Sequence, residues 1–292
     1  MFLPAMRLIW GVMRWGVWGA NLNPTQVRSL IETGLEHGIT DYDHADIYGG
    51  YTTEALFGNA LDGNSSLRDK LTLITKCGIA YPHDSQPQLK LKHYNTSAAY
   101  MKHRVEESLR FLRTDYIDRL LIHRPDVLLD GEEVAQTVED LKNSGKIRSI
   151  GVSNFSPAKA EMLHQCTPLE EHQVEIHPLH LLPFEDGTLD QCQQYNWSPT
   201  AWSPLAGGKV LNPTTEREQR VAEALDRVGA NHNLDRAQTA IAWLMKHPAG
   251  IRPILGTANA SRLPGMIQAA ETDLDIQDWY EVWSASTGEK VS

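Results

Sequence analysis

Cysteine is scarce in this chain. Cys77, Cys166 and Cys192 are the only three in 292 residues, and no two of them form a Cys-x-x-Cys. An odd, scattered set argues against a disulfide framework and against structural zinc, and it fits a reducing, cytoplasmic setting. Basic clusters are missing too. The formal net charge is −10 and no run of Lys and Arg exceeds two residues, so the surface lacks the positive patch that nucleic acid or an acidic membrane requires. No apolar run reaches the roughly 18 residues of a membrane helix. Met1–Trp18 is apolar-rich but holds Arg7, Arg14 and glycines, with no small-residue cleavage site, so it reads as a strand and its loop rather than a signal peptide. A Gly-x-Gly-x-x-Gly is absent throughout, which removes the usual fingerprint of a doubly wound dinucleotide-binding sheet.

What is present is a regular alternation. A hydrophobic share of 41% against 22% charged gives enough apolar surface for a sizeable core. Strand-like runs occur at Leu8–Val12, Thr40–Asp43, Leu71–Lys76, Ile117–Ile122, Ile147–Val152, Glu171–Ile176, Thr200–Ser203 and Ile251–Leu255. Helical patterns separate them. Pro24–His37 has Asn23 as its N-cap, Pro24 at the first helical position and Val27, Leu30, Ile31 and Leu35 on one face. Ser97–Arg113 carries Met101, Val105, Leu109 and Leu112 at helical spacing. Further helices are expected at Thr52–Ala60, Gly131–Ser144, Pro157–Gln165, Thr188–Tyr195, Glu216–Gly229, Arg236–His247 and Ala260–Ala270, with an extra C-terminal helix at Gln277–Ser286. About eight strand–helix units without a linker specify a parallel α/β sheet closed as a (β/α)8 TIM barrel, one domain over residues 1–292.

The densest chemistry lies in Thr40–Gly49, which holds three aspartates, a histidine and two tyrosines in ten residues. In a barrel of this kind the C-terminal strand ends face the mouth where catalysis happens. Asp43, Lys76 and His123 fall at the ends of the second, third and fourth strands, and Tyr48 follows five residues after Asp43. A core ion pair would account for Lys76, a packed strand cap for His123 and loop packing for Tyr48. Together, an Asp, a Tyr, a Lys and a His delivered from successive strand ends are the parts of a proton-donating site. A metal-dependent hydrolase would instead use Asp41, Asp43, His44, His123 and His177, and would need them to converge on an ion. His177-Pro-Leu-His180 is better explained as the end of the sixth strand, and no metal is expected.

Tyr42-Asp-His-Ala-Asp-Ile-Tyr-Gly49, Ile74-Thr-Lys76, Leu121-Ile-His-Arg-Pro-Asp126, Gly145-Lys-Ile-Arg-Ser-Ile-Gly-Val-Ser-Asn-Phe155 and Ala201-Trp-Ser-Pro-Leu205 resemble the aldo-keto reductase superfamily, nearest a bacterial oxidoreductase branch. The resemblance covers nearly the whole chain. It implies that an aldehyde or ketone is reduced to an alcohol by hydride from NADP(H), with NAD(H) left open. Tyr48 would be the general acid, Lys76 would lower its pKa, Asp43 would hold Lys76, and His123 would orient the carbonyl. Ser153, Asn154 and Gln173 match positions that bind the nicotinamide carboxamide, and Trp202 matches the aromatic that stacks on the ring. Ser203, Leu205 and Gly207 belong to a loop suited to a pyrophosphate. Gly256 and Thr257 precede a helix expected from Ala260, whose N-terminus would favour an anion, and Arg262 matches the residue that meets the adenosine 2′-phosphate. Gly256 stands where several members place a lysine, Met266 where many have Asn or Gln, and the chain starts almost directly at its first strand without the usual closing hairpin.

Trp15, Trp18, Tyr51, Tyr81 and Arg124 are the expected pocket walls. The long polar loop Gly78–Asn95, with Pro82 and Pro87, is a candidate lid. Aromatic walls suit an aldehyde, quinone or planar ketone as the small-molecule partner. A cofactor-binding regulatory barrel of the kind that partners channels is the alternative with the same fold.

Overall fold

Tyr42 fixes the orientation of the second strand. Its ring packs among Trp10, Trp15 and Phe57, and its hydroxyl donates to the Ile31 carbonyl on the helix Pro24–Glu36 at 3.2 Å. Strand alternation then turns Asp41 and Asp43 the other way, into the barrel. The same rule acts in the next strand, where Thr75 reaches out to Glu54 at 2.6 Å while Lys76 points in to Asp43.

The computed structural model describes residues 8–290. The expectations that rest on Met1–Arg7, including those about how the chain begins, lie outside the described residues. The strands are β1 (Ile9–Gly11), β2 (Asp41–Asp43), β3 (Thr72–Cys77), β4 (Ile117–Ile122), β5 (Ile147–Ser153), β6 (Glu171–Glu175), β7 (Ser198–Trp202) and β8 (Arg252–Leu255). They form one closed parallel barrel in chain order, with helices surrounding it. The expected TIM barrel is the fold observed.

By packing density the described chain divides into two compact units. The first comprises Ile9–Gln173 and Gly256–Ala260. Its register runs Gly11 to Asp43, Asp43 to Ile74, and Lys76 to Leu121, so the ends of β2, β3 and β4 lie at one level. The helix Pro24–Glu36 opens with a reciprocal capping box between Asn23 and Gln26. Helices Thr53–Leu61 and Ala98–Leu112 meet at Gly58, where an added Cβ would lie 2.0 Å from the Phe111 carbonyl oxygen; only glycine permits that approach.

The second unit comprises Leu8, Val174–Leu255 and residues 261–290. Trp243 and Trp279 stack at 5.2 Å and exchange indole N–H bonds to each other's backbone carbonyls at 3.0 and 3.1 Å. The extra C-terminal helix is present as Ile276–Thr287.

Several elements depart from the sequence reading. Helix Glu216–His232 runs three residues past Gly229. Ala260–Arg262 is a 3-10 turn, and the regular helix begins only at Leu263. The loop Gly78–Asn95 contains an antiparallel ribbon pairing Ile79–Ala80 with His93–Tyr94. Short helices at Tyr48–Tyr51, Ser65–Arg68 and Leu182–Glu185 were not anticipated.

Candidate active site

Lys76 is the centre of the site and is 1% exposed. An ammonium has three N–H donors, and each has an acceptor: Asp43 Oδ1 at 2.7 Å, the His44 carbonyl at 2.6 Å and Tyr48 Oη at 3.3 Å. Tyr48 therefore receives a hydrogen bond from Lys76, and its own proton is left to point elsewhere. Asp43 Oδ1 also accepts from Gln173 Nε2 at 2.8 Å, a link across 130 residues that no local pattern signals. The His123 ring stands edge-on to Tyr48, centroids 6.1 Å apart at 82°. The backbone N–H of His123 bonds to the Cys77 carbonyl at 2.8 Å and carries the β3–β4 ladder one step further. All four expected catalytic residues thus meet in one cluster.

The electrostatics refine the expected roles. Burial lowers the affinity of Lys76 for its proton, but Asp43 and Tyr48 more than offset this, so its pKa is raised and the ammonium stays charged. For Tyr48 burial raises the pKa above the usual 10, and the opposing pull of Lys76 is weaker. The expectation of a lowered phenol pKa is not met in this state, because desolvation outweighs the neighbouring cation. A phenol held protonated is the form that can donate. Burial, then Lys76, Arg124 and Lys92, push His123 well below 6.5, so it is a neutral imidazole at pH 7.

Behind this cluster lies a second buried one. Arg104 Nε donates to Asp46 Oδ2 at 2.7 Å, and Thr75 donates to Glu54. Burial raises Asp46 to about 6 and Glu54 to about 7. The signal for Arg104 was present in the sequence: it falls beside Met101, Val105 and Ser108 on the buried face of its helix.

The expected cofactor residues are described unit by unit. In the first, Ser153 is buried at the end of β5. Asn154, with a positive φ of 59°, donates its side chain to Ser153 Oγ at 2.7 Å and its backbone N–H to the Gln173 carbonyl at 2.9 Å. The Thr257 carbonyl accepts the indole N–H of Trp10 at 2.7 Å and of Trp15 at 3.3 Å, and open space lies where a Cβ of Gly256 would be. In the second unit Trp202 and Leu205 are half-buried. Ser203, Ala206 and Gly207 have positive φ of 51°, 53° and 64°, and the Cβ positions of Gly207 and Gly208 also open onto free space. Left-handed residues with open glycines are the backbone form that turns N–H groups towards an anion. Arg262 is exposed and caps the helix Leu263–Glu271.

Among the expected walls, Trp18 faces both Tyr48 and Tyr81 at ring distances of 6.3 and 6.1 Å, and Tyr81 and Arg124 are half-buried. Trp15 and Tyr51 are corrections. Trp15 is 1% exposed and packs in the core, and Tyr51 is buried with its hydroxyl bonded to the Tyr81 backbone. Met266 is likewise buried. Among the described residues no group of three or more His, Cys, Asp or Glu side chains could hold a metal, and no helix is long and apolar enough to cross a membrane.

Comparison with known proteins identifies the family. The sequence profile of the aldo/keto reductase family matches residues 7–286. The chain belongs to that family. It is 38% identical to oxidoreductase YdhF of Escherichia coli, with 97% of this chain and 93% of that protein covered. It is 40% identical to a 6-dehydroglucose reductase of Agrobacterium fabrum over 99% of this chain and 97% of the relative. The crystal structure of an aldo/keto reductase from Klebsiella pneumoniae in complex with NADP and acetate superposes with a TM-score of 0.76 at 26% identity, covering 96% of this chain and 90% of that one. An aldo/keto reductase is an oxidoreductase, and the described cluster lies at the C-terminal ends of β2, β3 and β4.

Proposed function

We propose that this aldo/keto reductase reduces an aldehyde or ketone to the alcohol with NADPH, using Tyr48 as the general acid. The observation that carries the reading is the saturated Lys76 ammonium, which bonds to Tyr48 Oη and leaves the phenolic proton free for a substrate oxygen. When bound, a reduced nicotinamide supplies the hydride that adds to the carbonyl carbon. As that bond forms, the C=O π pair moves onto oxygen and takes the Tyr48 proton, giving the alcohol and a tyrosinate. Lys76, held charged by Asp43, stabilises the tyrosinate until solvent returns a proton. Neutral His123 offers an N–H to the same oxygen and orients it.

Ser153, Asn154 and Gln173 would hold the carboxamide, and Trp202 would cover the ring. Gln173 ties that placement to Asp43. Ser203, Leu205 and Gly207 would take the pyrophosphate, as would Gly256 and Thr257. Arg262 would meet the 2′-phosphate, since a guanidinium forms paired bonds to such a group. The reading takes residues 1–292 as one functional domain. The 6-dehydroglucose reductase relative suggests a sugar-derived aldehyde as the first substrate to try, beside planar aromatic carbonyls that suit Trp18 and Tyr81.

The test is a titration with NADPH and NADH followed by tryptophan fluorescence, and then NADPH consumption over a carbonyl panel that includes 6-dehydroglucose. Saturable binding with NADPH favoured and turnover on an aldehyde supports the reading. Binding without turnover on any carbonyl would favour the regulatory barrel, and binding of neither cofactor would remove hydride chemistry.

A further inference from the structure

The turn that carries Tyr48 is conformationally costly. Gly49, Gly50 and Tyr51 follow one another with φ of 61°, 63° and 70°. Two glycines adopt the left-handed region freely, but a tyrosine there is strained and persists only where the surroundings hold it. Its hydroxyl is held by the Tyr81 backbone. Tyr51 Oη donates to the Tyr81 carbonyl at 2.8 Å and accepts the Tyr81 backbone N–H at 2.9 Å. Tyr81 stands immediately before Pro82, at the root of the excursion that returns at His93.

Further contacts close the arrangement. The Arg104 guanidinium lies 4.8 Å from the Tyr51 ring centre and is anchored to Asp46, two residues before Tyr48. The His83 imidazole, on the loop itself, rests against Gly50, where an added Cβ would lie 2.4 Å from Nε2. Tyr81 packs on Trp18, and Trp18 packs on Tyr48. The loop and the acid are therefore joined twice: by hydrogen bonds through Tyr51, and by aromatic contact through Trp18.

We propose that Tyr51 is a positioning residue that couples the placement of the loop Pro82–Lys92 to the aim of the Tyr48 hydroxyl. A substrate that seats the loop then also sets the acid. The inference rests on Tyr48 being the acid. Tyr51→Phe removes only the two bonds to Tyr81 and keeps the ring against Arg104. With NADPH and para-nitrobenzaldehyde it lowers kcat by roughly tenfold to a hundredfold, the scale of a misplaced catalytic group, and raises KM. In a Tyr48→Phe background the same change raises KM but leaves the residual kcat where Tyr48→Phe set it, because a residue acting through Tyr48 has nothing left to aim. His83→Ala, at an exposed loop position, is the second variant: it raises KM with a smaller effect on kcat.

A lower thermal midpoint for Tyr51→Phe with kcat unchanged would overturn the proposal, and so would kcat losses that multiply in the double variant. Wild-type turnover by Tyr48→Phe alone is a different result: it sinks the acid assignment and the coupling with it.

Discussion

Removing Lys76 takes away the ammonium paired with the buried Asp43 carboxylate at 2.7 Å, and that fixes the sign and size of the effect. Asp43 is 3% exposed, and Lys76→Met leaves it with the Gln173 amide alone. Breaking a buried ion pair on one side costs about 3–5 kcal/mol, so the variant should unfold at markedly lower urea concentration. Asp43→Asn should cost less, because an amide oxygen still accepts from Lys76 and Gln173. Equal losses for the two would mean that the pair is not electrostatically coupled. Arg262→Ala addresses cofactor choice. Losing a charge-assisted phosphate contact removes about 1.5–3 kcal/mol, so the Kd for NADPH should rise roughly 10- to 100-fold with NADH little changed. An equal loss for both cofactors would remove Arg262 from 2′-phosphate recognition.

Helix Thr53–Leu61 is tied to β3 by Glu54, and that tie carries a pH dependence. Burial raises Glu54 to about 7 from 4.5. The folded protein therefore holds this proton more tightly than the unfolded chain. The associated stability is fully present below pH 4.5 and is lost as pH rises towards 7. Glu54→Gln has no such proton to lose and keeps an oxygen for Thr75. Its stability relative to wild type should improve between pH 4.5 and pH 8 by at most about 3 kcal/mol, read from urea unfolding at the two pH values. A constant difference would show that Glu54 titrates alike in the folded and unfolded states. At Gly58 the outcome is geometric: Gly58→Ala forces the helices Thr53–Leu61 and Ala98–Leu112 apart against a backbone oxygen, an overpacking cost of about 1–3 kcal/mol or more. Elements of this length were legible in the sequence because their apolar periods are long. Ile117–Ile122 and Thr188–Tyr195 have the observed ends. The four-residue helix Tyr48–Tyr51 was not, since its geometry comes from left-handed residues rather than from any period. Trp15 and Tyr51 read as pocket walls because spacing does not tell which way a loop aromatic turns. The bond between Gln173 and Asp43 was invisible to any local pattern because it spans 130 residues.

At the scale of the whole molecule, the barrel order and the level at which β2, β3 and β4 end bring Asp43, Lys76 and His123 together. A cofactor that binds the folded chain should stabilise it against unfolding. At a concentration 100 times its Kd a ligand contributes about 2.7 kcal/mol, and NADPH should raise the thermal midpoint accordingly, with NADH raising it less at equal concentration. No shift with either would contradict the cofactor assignment. The most direct test of the central claim is the single-turnover rate of NADPH oxidation by wild type and by Tyr48→Phe with the same aldehyde at saturating cofactor. The account predicts a rate lower by a factor on the order of 10²–10⁴ in the variant, with the Kd for NADPH unchanged. An unaltered rate would contradict it, because the proton would then come from a group other than the phenol that Lys76 holds.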